Sequence, residues 1–524
     1  MTLHRLPALV LSATLVAGLA ALPAGAAAQQ DPAEDAALQK AIVKFDDDVT
    51  PLDLEALAAL GVQKGFEIRS IDAVAVTALP NVISQLADVA GVVAVQPQRK
   101  IELHLYASKE QIKAHTITEP GTYEGLGGSF DLPGYDGTGV TVGVIDSGIF
   151  AEHPGLAGKV VAGLNFEFTE AQDQGLFTVE QWDQYAEGTG PSAMQDEVGH
   201  GTHVAGTIGG TGAGSVMFEE GELAGIAPGA EFVSLKIASA ANGVVEDYGF
   251  EENALFAIDY LIRHPEMGVT LTNNSWGLLP TEPGTVPIED TDYDAANDVV
   301  DAAAAAGITM VFSAGNSGPE PGTIRPGPGM TNAILVAAAC KSVNSARCEE
   351  GQVIADFSSR GAEDGSGPQV DVTAPGDTIL APASPSILIP LTECNENDIE
   401  PAYYCLSGTS MASPHVAGVV TLMQQANPDL TPAEAEACLV DTADDLLDEG
   451  YDIHSGHGMV DTPEAIACAL DVAATVDDTV TPAPAPEPAD EPAPVEDTTL
   501  PTTGGGLALL GLLGLAGARA LRRR

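Results

Sequence analysis

Val140, Thr141, Val142, Gly143, Val144, Ile145, Asp146, Ser147, Gly148, Ile149: the reading of this stretch decides the fold. Residues 140–145 are almost continuously apolar and β-branched, without the in–out alternation of a strand that has one wet face. They therefore predict a strand covered on both faces within a parallel sheet. Turn chemistry at Tyr135, Asp136, Gly137, Thr138 and Gly139 opens the strand. Asp146, with Ser147 and Gly148 behind it, then lies at the carboxyl edge, where open α/β sheets bind ligands. Taken alone, a strand-end aspartate is more often a turn or capping residue, so its meaning depends on what else arrives at that edge.

Apolar runs of the same kind recur at residues 232–237, 269–272, 309–312 and 334–339, with Ala-rich helical stretches at 253–262 and 294–306 between them. Alternation of this sort implies an α/β fold, a doubly wound and mainly parallel sheet with helices on both faces. Upstream lies a smaller pattern. Residues 41–45, 71–76 and 91–95 read as strands and 52–60 and 81–89 as helices, which amounts to a small α+β domain.

Two further segments can supply chemistry at the edge that carries Asp146. Gly199, His200, Gly201, Thr202, His203, Val204, Ala205 and Gly206 put two histidines at the glycine-rich entry of a helix of small residues. There is no glutamate between them as in HExxH and no third ligand stands out, so the expectation is one base and one structural histidine. Gly408, Thr409, Ser410, Met411, Ala412, Ser413, Pro414 and His415 open an apolar helix that runs to about residue 426. A serine there sits at the positive end of a helix dipole among unpaired amides, though a plain N-cap is the simpler use of such a residue. Hydroxyl, imidazole and carboxylate are the groups that nucleophilic acyl transfer requires.

VIDSGI around Asp146, GHGTHVAG around His200 and GTSMASPHVAG around Ser410 resemble the three signature blocks of the subtilases, in the same chain order. The resemblance covers roughly residues 136–470, including FSSRG at 357–361. It implies a subtilisin-like serine endopeptidase acting on proteins or peptides, with Asp146, His200 and Ser410 as catalytic triad and Asn316 as oxyanion-hole donor. Ser275, Trp276 and Gly277, with Ala314 and Gly315, match the substrate-binding segments. No cofactor is required for the chemistry. A structural calcium is common in the family, but residues 210–223 lack the usual Asn-rich loop, so no metal ligands are assigned. The acidic insertion at 166–196 reads as a solvated loop, with a metal site or a rim of the substrate cleft as the alternatives.

The same resemblance makes residues 29–106 an inhibitory, ferredoxin-like propeptide domain, a partner and inhibitor of the chain's own peptidase domain at 107–470, with self-cleavage expected between about Leu103 and Ser108. His4 and Arg5, the apolar run 6–22 and small residues at 24–28 form a signal-peptide pattern over 1–28, which implies secretion. Residues 471–499 are a Pro-, Ala- and acid-rich linker. Leu500, Pro501, Thr502, Thr503 and Gly504, the apolar residues 507–515 and Arg519 with Arg522, Arg523 and Arg524 resemble an LPxTG sorting signal over 500–524. That resemblance implies cutting after Thr503 by a sortase and attachment to the cell wall.

With 20 Lys and Arg against 75 Asp and Glu the formal net charge is -55, which would repel phosphate and argues against nucleic acid as a partner. No Lys or Arg occurs between Arg360 and Arg519, so part of the acidity lies on the folded body. A well-solvated surface is one reading and adaptation to high salt another. The six cysteines form sequence-neighbouring pairs, Cys340 with Cys348, Cys394 with Cys405 and Cys438 with Cys468, among many formal connectivities. Two rival functions remain. An α/β-hydrolase esterase needs a GxSxG elbow ahead of its acid and histidine, whereas Ser410 follows both. A surface-displayed binding protein on an inactive peptidase scaffold would retain the fold without the chemistry.

Overall fold

The computed structural model describes residues 38–479, apart from 98–100, 104–109, 115–116, 126–127, 168–174, 189, 216–222, 240–250, 279–293, 325–331, 341–352, 386–401 and 448. The expected signal peptide, linker, sorting signal and self-cleavage point thus lie outside the described residues, apart from the linker's first residues.

The N-terminal unit runs β1 (Gln39–Phe45), α1 (Pro51–Leu60), β2 (Lys64–Ile68), β3 (Ala73–Ala78), α2 (Pro80–Ile83) and β4 (Val92–Pro97). Its strands pair antiparallel in the order β2-β3-β1-β4, the ferredoxin-like arrangement. Helix α1 is fixed at its start by a reciprocal cap between Thr50 and Asp53, and Gly61 closes it at φ 104°, a left-handed value that suits glycine. Alternate residues Ala41, Val43 and Phe45 of β1 meet Val74 and Val76 of β3 and Leu57 of α1 in a separate small core. Strand β2 escapes the sequence reading because KGFEI buries Lys64 and Glu67 along with Phe66, which breaks the apolar signature. The helix expected over 81–89 is instead the short α2 followed by a 3-10 turn at Leu86–Asp88.

Next come β5 (Ile101–Leu103) and the hairpin of β6 (Gly121–Gly125) and β7 (Gly128–Leu132), then β8 (Thr141–Asp146), β9 (Val160–Asn165), β10 (Gly175–Phe177), α3 (Val179–Gly188), α4 (Gly190–Ala193) and α5 (His200–Gly209). The chain continues with β11 (Glu231–Lys236), α6 (Glu251–Arg263), β12 (Val269–Asn274), β13 (Trp276–Leu278), α7 (Ala295–Ala305), β14 (Thr309–Ser313), β15 (Ile334–Ala339) and β16 (Val372–Pro375). It ends with the antiparallel pair β17 (Ile379–Pro382) and β18 (Tyr403–Leu406), then α8 (Thr409–Ala426), α9 (Pro432–Asp441) and α10 (Thr462–Thr479).

Seven strands form one parallel sheet in the order β16-β15-β14-β12-β8-β11-β9. This is the doubly wound α/β architecture that the buried runs predict. The run at 140–145 becomes β8 near the middle, with Val142, Val144 and Ile145 fully buried. The edge strands β9 and β16 were not foreseen. VVAGLN is half-exposed and VTAP is short and ends in proline, so neither carries the signature of a central strand.

Because the chain passes from β11 on one side of β8 to β12 on the other, winding reverses at β8. The carboxyl ends of β8 and β12 therefore flank a crevice. Helix α10 continues past residue 470, and the Cys438–Cys468 disulfide ties it to α9. Closing a loop of that separation, 30 residues, limits the unfolded chain by about 3–4 kcal/mol in the entropic model. Cys340 and Cys405 are likewise disulfide-bonded, and Cys348 and Cys394, expected as their partners, lie outside the described residues.

Candidate active site

Asp146 ends β8 fully buried and is fixed by its neighbour, since the Ser147 amide donates to Oδ1 at 2.7 Å. His200 is the first residue of α5, also fully buried, and its Nδ1 lies 2.7 and 2.9 Å from the two carboxylate oxygens of Asp146. A carboxylate can only accept, so Nδ1 donates and Nε2 is left as the basic nitrogen. This approach requires Gly201. A Cβ there would stand 2.1 Å from the Gly148 carbonyl oxygen and 3.1 Å from Asp146.

Asp196 anchors the start of α5. Its Oδ1 accepts from the amides of Val198 (3.1 Å) and Gly199 (2.7 Å) and from Ser147 Oγ (2.9 Å). Its Oδ2 accepts from the Thr202 amide (2.9 Å) and hydroxyl (2.6 Å). Burial pushes the Asp196 carboxyl above its ordinary range, while the Thr202 and Gly199 donors pull the other way. The sequence reading gave this residue no role. A signal was present, an aspartate just ahead of a glycine-rich helix start, where a carboxylate satisfies free amides and faces the positive dipole end.

His203 fills the structural part. It is fully buried with Nε2 at 3.1 and 3.2 Å from the carbonyl oxygens of Ile379 and Tyr404, and burial drives its pKa down to about 3.

Ser410 is the second residue of α8, which packs against α5 and the strands β12, β14 and β15. Its hydroxyl donates to the Ser275 carbonyl at 2.9 Å. The Ser275 hydroxyl in turn contacts the Ser410 carbonyl (2.7 Å) and Ser413 Oγ (2.8 Å) and receives Asn273 Nδ2 (2.8 Å). The side chain of Ser275 is thus committed to holding the start of α8.

Beyond β14, Asn316 Oδ1 accepts from the Thr409 amide and hydroxyl, both at 3.0 Å, and Thr409 Oγ1 accepts from the Gly315 amide at 3.1 Å. With its oxygen occupied, Asn316 has Nδ2 as an uncommitted donor among the described residues. Thr409, quoted in the serine motif but given no role, is what turns this amide. Ala314 is buried beside it and Gly315 adopts φ 100°.

Trp276 is 1% exposed and packs edge-to-face on Phe312 at 5.3 Å, so its ring is core and its contribution to any bound chain is backbone. That backbone is in use. Trp276, Gly277 and Leu278 pair antiparallel with Leu103, Glu102 and Ile101 of β5. Among the described residues no group of three or more His, Cys, Asp or Glu could hold a metal ion, and no helix is long and apolar enough to cross a membrane.

The Subtilase family model matches residues 137–458. The chain belongs to the subtilase family. It is 30% identical over 331 residues to serine protease AprX of Bacillus subtilis (strain 168), an alignment covering 63% of this chain and 66% of AprX. Subtilisin DY of Bacillus licheniformis is 29% identical over 333 residues, which cover 63% of this chain and 92% of that protein. The crystal structure of fervidolysin from Fervidobacterium pennivorans, a keratinolytic enzyme related to subtilisin, superposes with a TM-score of 0.57 at 24% identity. That superposition covers 84% of this chain and 62% of fervidolysin, and bears on the fold alone. The chain spans less than two thirds of the length of AprX and of fervidolysin.

Proposed function

We propose that this subtilase is a serine endopeptidase that cleaves peptide bonds in proteins through an acyl-enzyme on Ser410. The observation that carries the reading is the Asp146–His200 pair beside α8, where Asn316 turns a donor outward by committing its oxygen to Thr409. In this reading Asp146 holds the imidazole in the tautomer whose Nε2 takes the Ser410 proton. Asn316 Nδ2 then receives the negative charge that develops on the scissile carbonyl oxygen. Ser275, Trp276 and Gly277 bind an extended substrate by strand addition, with Ala314 and Gly315 at the neighbouring wall.

The N-terminal unit is the enzyme's own inhibitor. Support comes from β5, which follows that unit in the chain and occupies the backbone edge of β13 where a substrate strand would lie. Secretion, self-cleavage after β5, and surface attachment through the LPTTG segment complete the proposal on the sequence patterns. A fluorophosphonate probe on the processed protein should label one serine, with all labelling lost in Ser410→Ala. Intact labelling in that variant, or none in the wild type, would overturn the reading in favour of a scaffold without chemistry.

A further inference from the structure

In its described part the acidic insertion between β9 and α5 carries packed elements, β10 and α3, rather than a solvated loop. Its strand β10 pairs parallel with β2 of the N-terminal unit, Gly175 with Lys64, Leu176 with Gly65 and Phe177 with Phe66. Without it β2 would be a bare edge presenting unpaired amides and carbonyls. Helix α3 follows and buries Trp182, 3% exposed, edge-to-face on Phe66 at 5.4 Å. Phe66 also meets Phe256 of α6 at 5.3 Å, so one ring of the N-terminal unit is clamped between the insertion and the body. At the rim Arg69 joins Glu67 and Glu180, each at 3.0 Å.

The clamp is firmly mounted. Arg263 of α6 grips Asp183 of α3 with two bonds of 2.6 and 2.8 Å and Asp259 with a third of 2.7 Å. A second set of contacts, sharing Asp259 with the first, seats the unit on α6 and α7. Lys40 reaches Glu252 at 2.5 Å, the Ser70 amide donates to Asp259 at 2.6 Å, and the Ala295 amide donates to Gln96 at 2.6 Å.

We infer that β10 and α3, Gly175–Phe177 and Val179–Gly188, form a retaining clasp whose partner is the chain's own N-terminal unit, held by strand addition at β2 and by Phe66 against Trp182 and Phe256. The inference rests on reading that unit as the inhibitor. Once the chain is cut after β5 the unit is bound only non-covalently, and the clasp sets how long it stays.

The test uses the full-length chain allowed to process itself, with release of the N-terminal fragment followed by gel filtration and mass spectrometry and peptide hydrolysis followed in parallel. Phe66→Ala leaves the mature body unaltered, and Trp182→Ala leaves the unit unaltered. Each should speed release at least about tenfold, the scale of losing a buried aromatic contact, and the double variant should be little faster than the faster single one. Wild-type release in Trp182→Ala, or effects that simply multiply in the double variant, would overturn the clasp.

A fragment that stays bound while hydrolysis proceeds would sink the inhibitor reading and leave the clasp standing. If processing fails, hydrogen exchange on the Ser410→Ala precursor decides. Protection lost at residues 64–68 in Trp182→Ala, but kept at 39–45 and 73–78, supports the clasp; unchanged protection at 64–68 overturns it.

Discussion

Two three-residue strands in this protein pair with a strand from another part of the chain, β5 antiparallel with β13 as a two-stranded sheet and β10 parallel at the edge of the N-terminal sheet. At the active edge the N-terminal segment lends β5 to β13 of the body; on the far side of the unit, the body lends β10 to β2. The first addition uses a backbone edge that an extended substrate would use, and on the proposed reading a cut after β5 lets that strand be exchanged for substrate. The second is backed by an aromatic cluster and by an ion pair of α3 with α6. Strand pairing supplies alignment in both places. At β2 the buried rings of Phe66 and Trp182 add persistence to it.

The largest effect should come from removing the proposed self-cleavage, on which the contrast between the two additions rests. Ser410→Ala is expected to lower kcat by about six orders of magnitude, the size known for subtilisin rather than one derived from this geometry. It should also leave the precursor intact, so that β5 and β10 stay equally protected in hydrogen exchange. Processing at the wild-type rate in that variant would show that another protease makes the cut.

Asn316→Ala should sharpen the contrast by slowing the chemistry alone. The expected loss in kcat is about 100- to 1,000-fold, again the established subtilisin magnitude, with KM for a peptide substrate little changed. Residence of the cleaved fragment, measured by gel filtration, should not move, because the described bonds of Asn316 run to Thr409. A change in KM of the same size as that in kcat would assign Asn316 to ground-state binding.

Asp196 lies where the two regions join, at the end of the insertion and the start of α5. Asp196→Ala strands the amides of Val198, Gly199 and Thr202 and the hydroxyls of Ser147 and Thr202, and should cost about 2–4 kcal/mol in denaturant unfolding of the Ser410→Ala background. Stability unchanged within error would mean that water replaces the carboxylate without loss.

The sequence carries this division unevenly. The central strands are legible because a parallel sheet covered on both faces demands continuous apolar runs. The residues at their carboxyl ends are legible because Asp146, His200 and Ser410 each sit in a short local motif. Thr409 and Asp196 act through contacts made only after folding, so their motifs show the residues and hide the roles. The insertion is the clearest miss. Its acidic composition reads as solvated, and the single Trp182 that makes it a packed element finds its partner Phe66 more than a hundred residues earlier, in a strand whose own signature is masked by Lys64 and Glu67.

The smallest effect separates retention from general stability. Burial pushes Asp371, beside the start of β15, up to about 7, with the charge of Glu436 adding and the Leu335 amide opposing at 2.7 Å. A carboxyl raised above its unfolded value holds its proton in the folded state after the unfolded chain has released it. Its contribution is therefore present in full below about pH 4 and is lost as pH rises towards 7. Asp371→Asn keeps an oxygen for the Leu335 amide and removes the titration. It should flatten that part of the stability profile and raise Tm at pH 8 by about 2–4 °C, with no change at pH 4. Fragment release at a fixed pH should be the same as in wild type. If it slows in step with Tm, the dwell of the N-terminal unit follows the stability of the whole body, and the distinction between a yielding strand at β13 and a held one at β2 loses its basis.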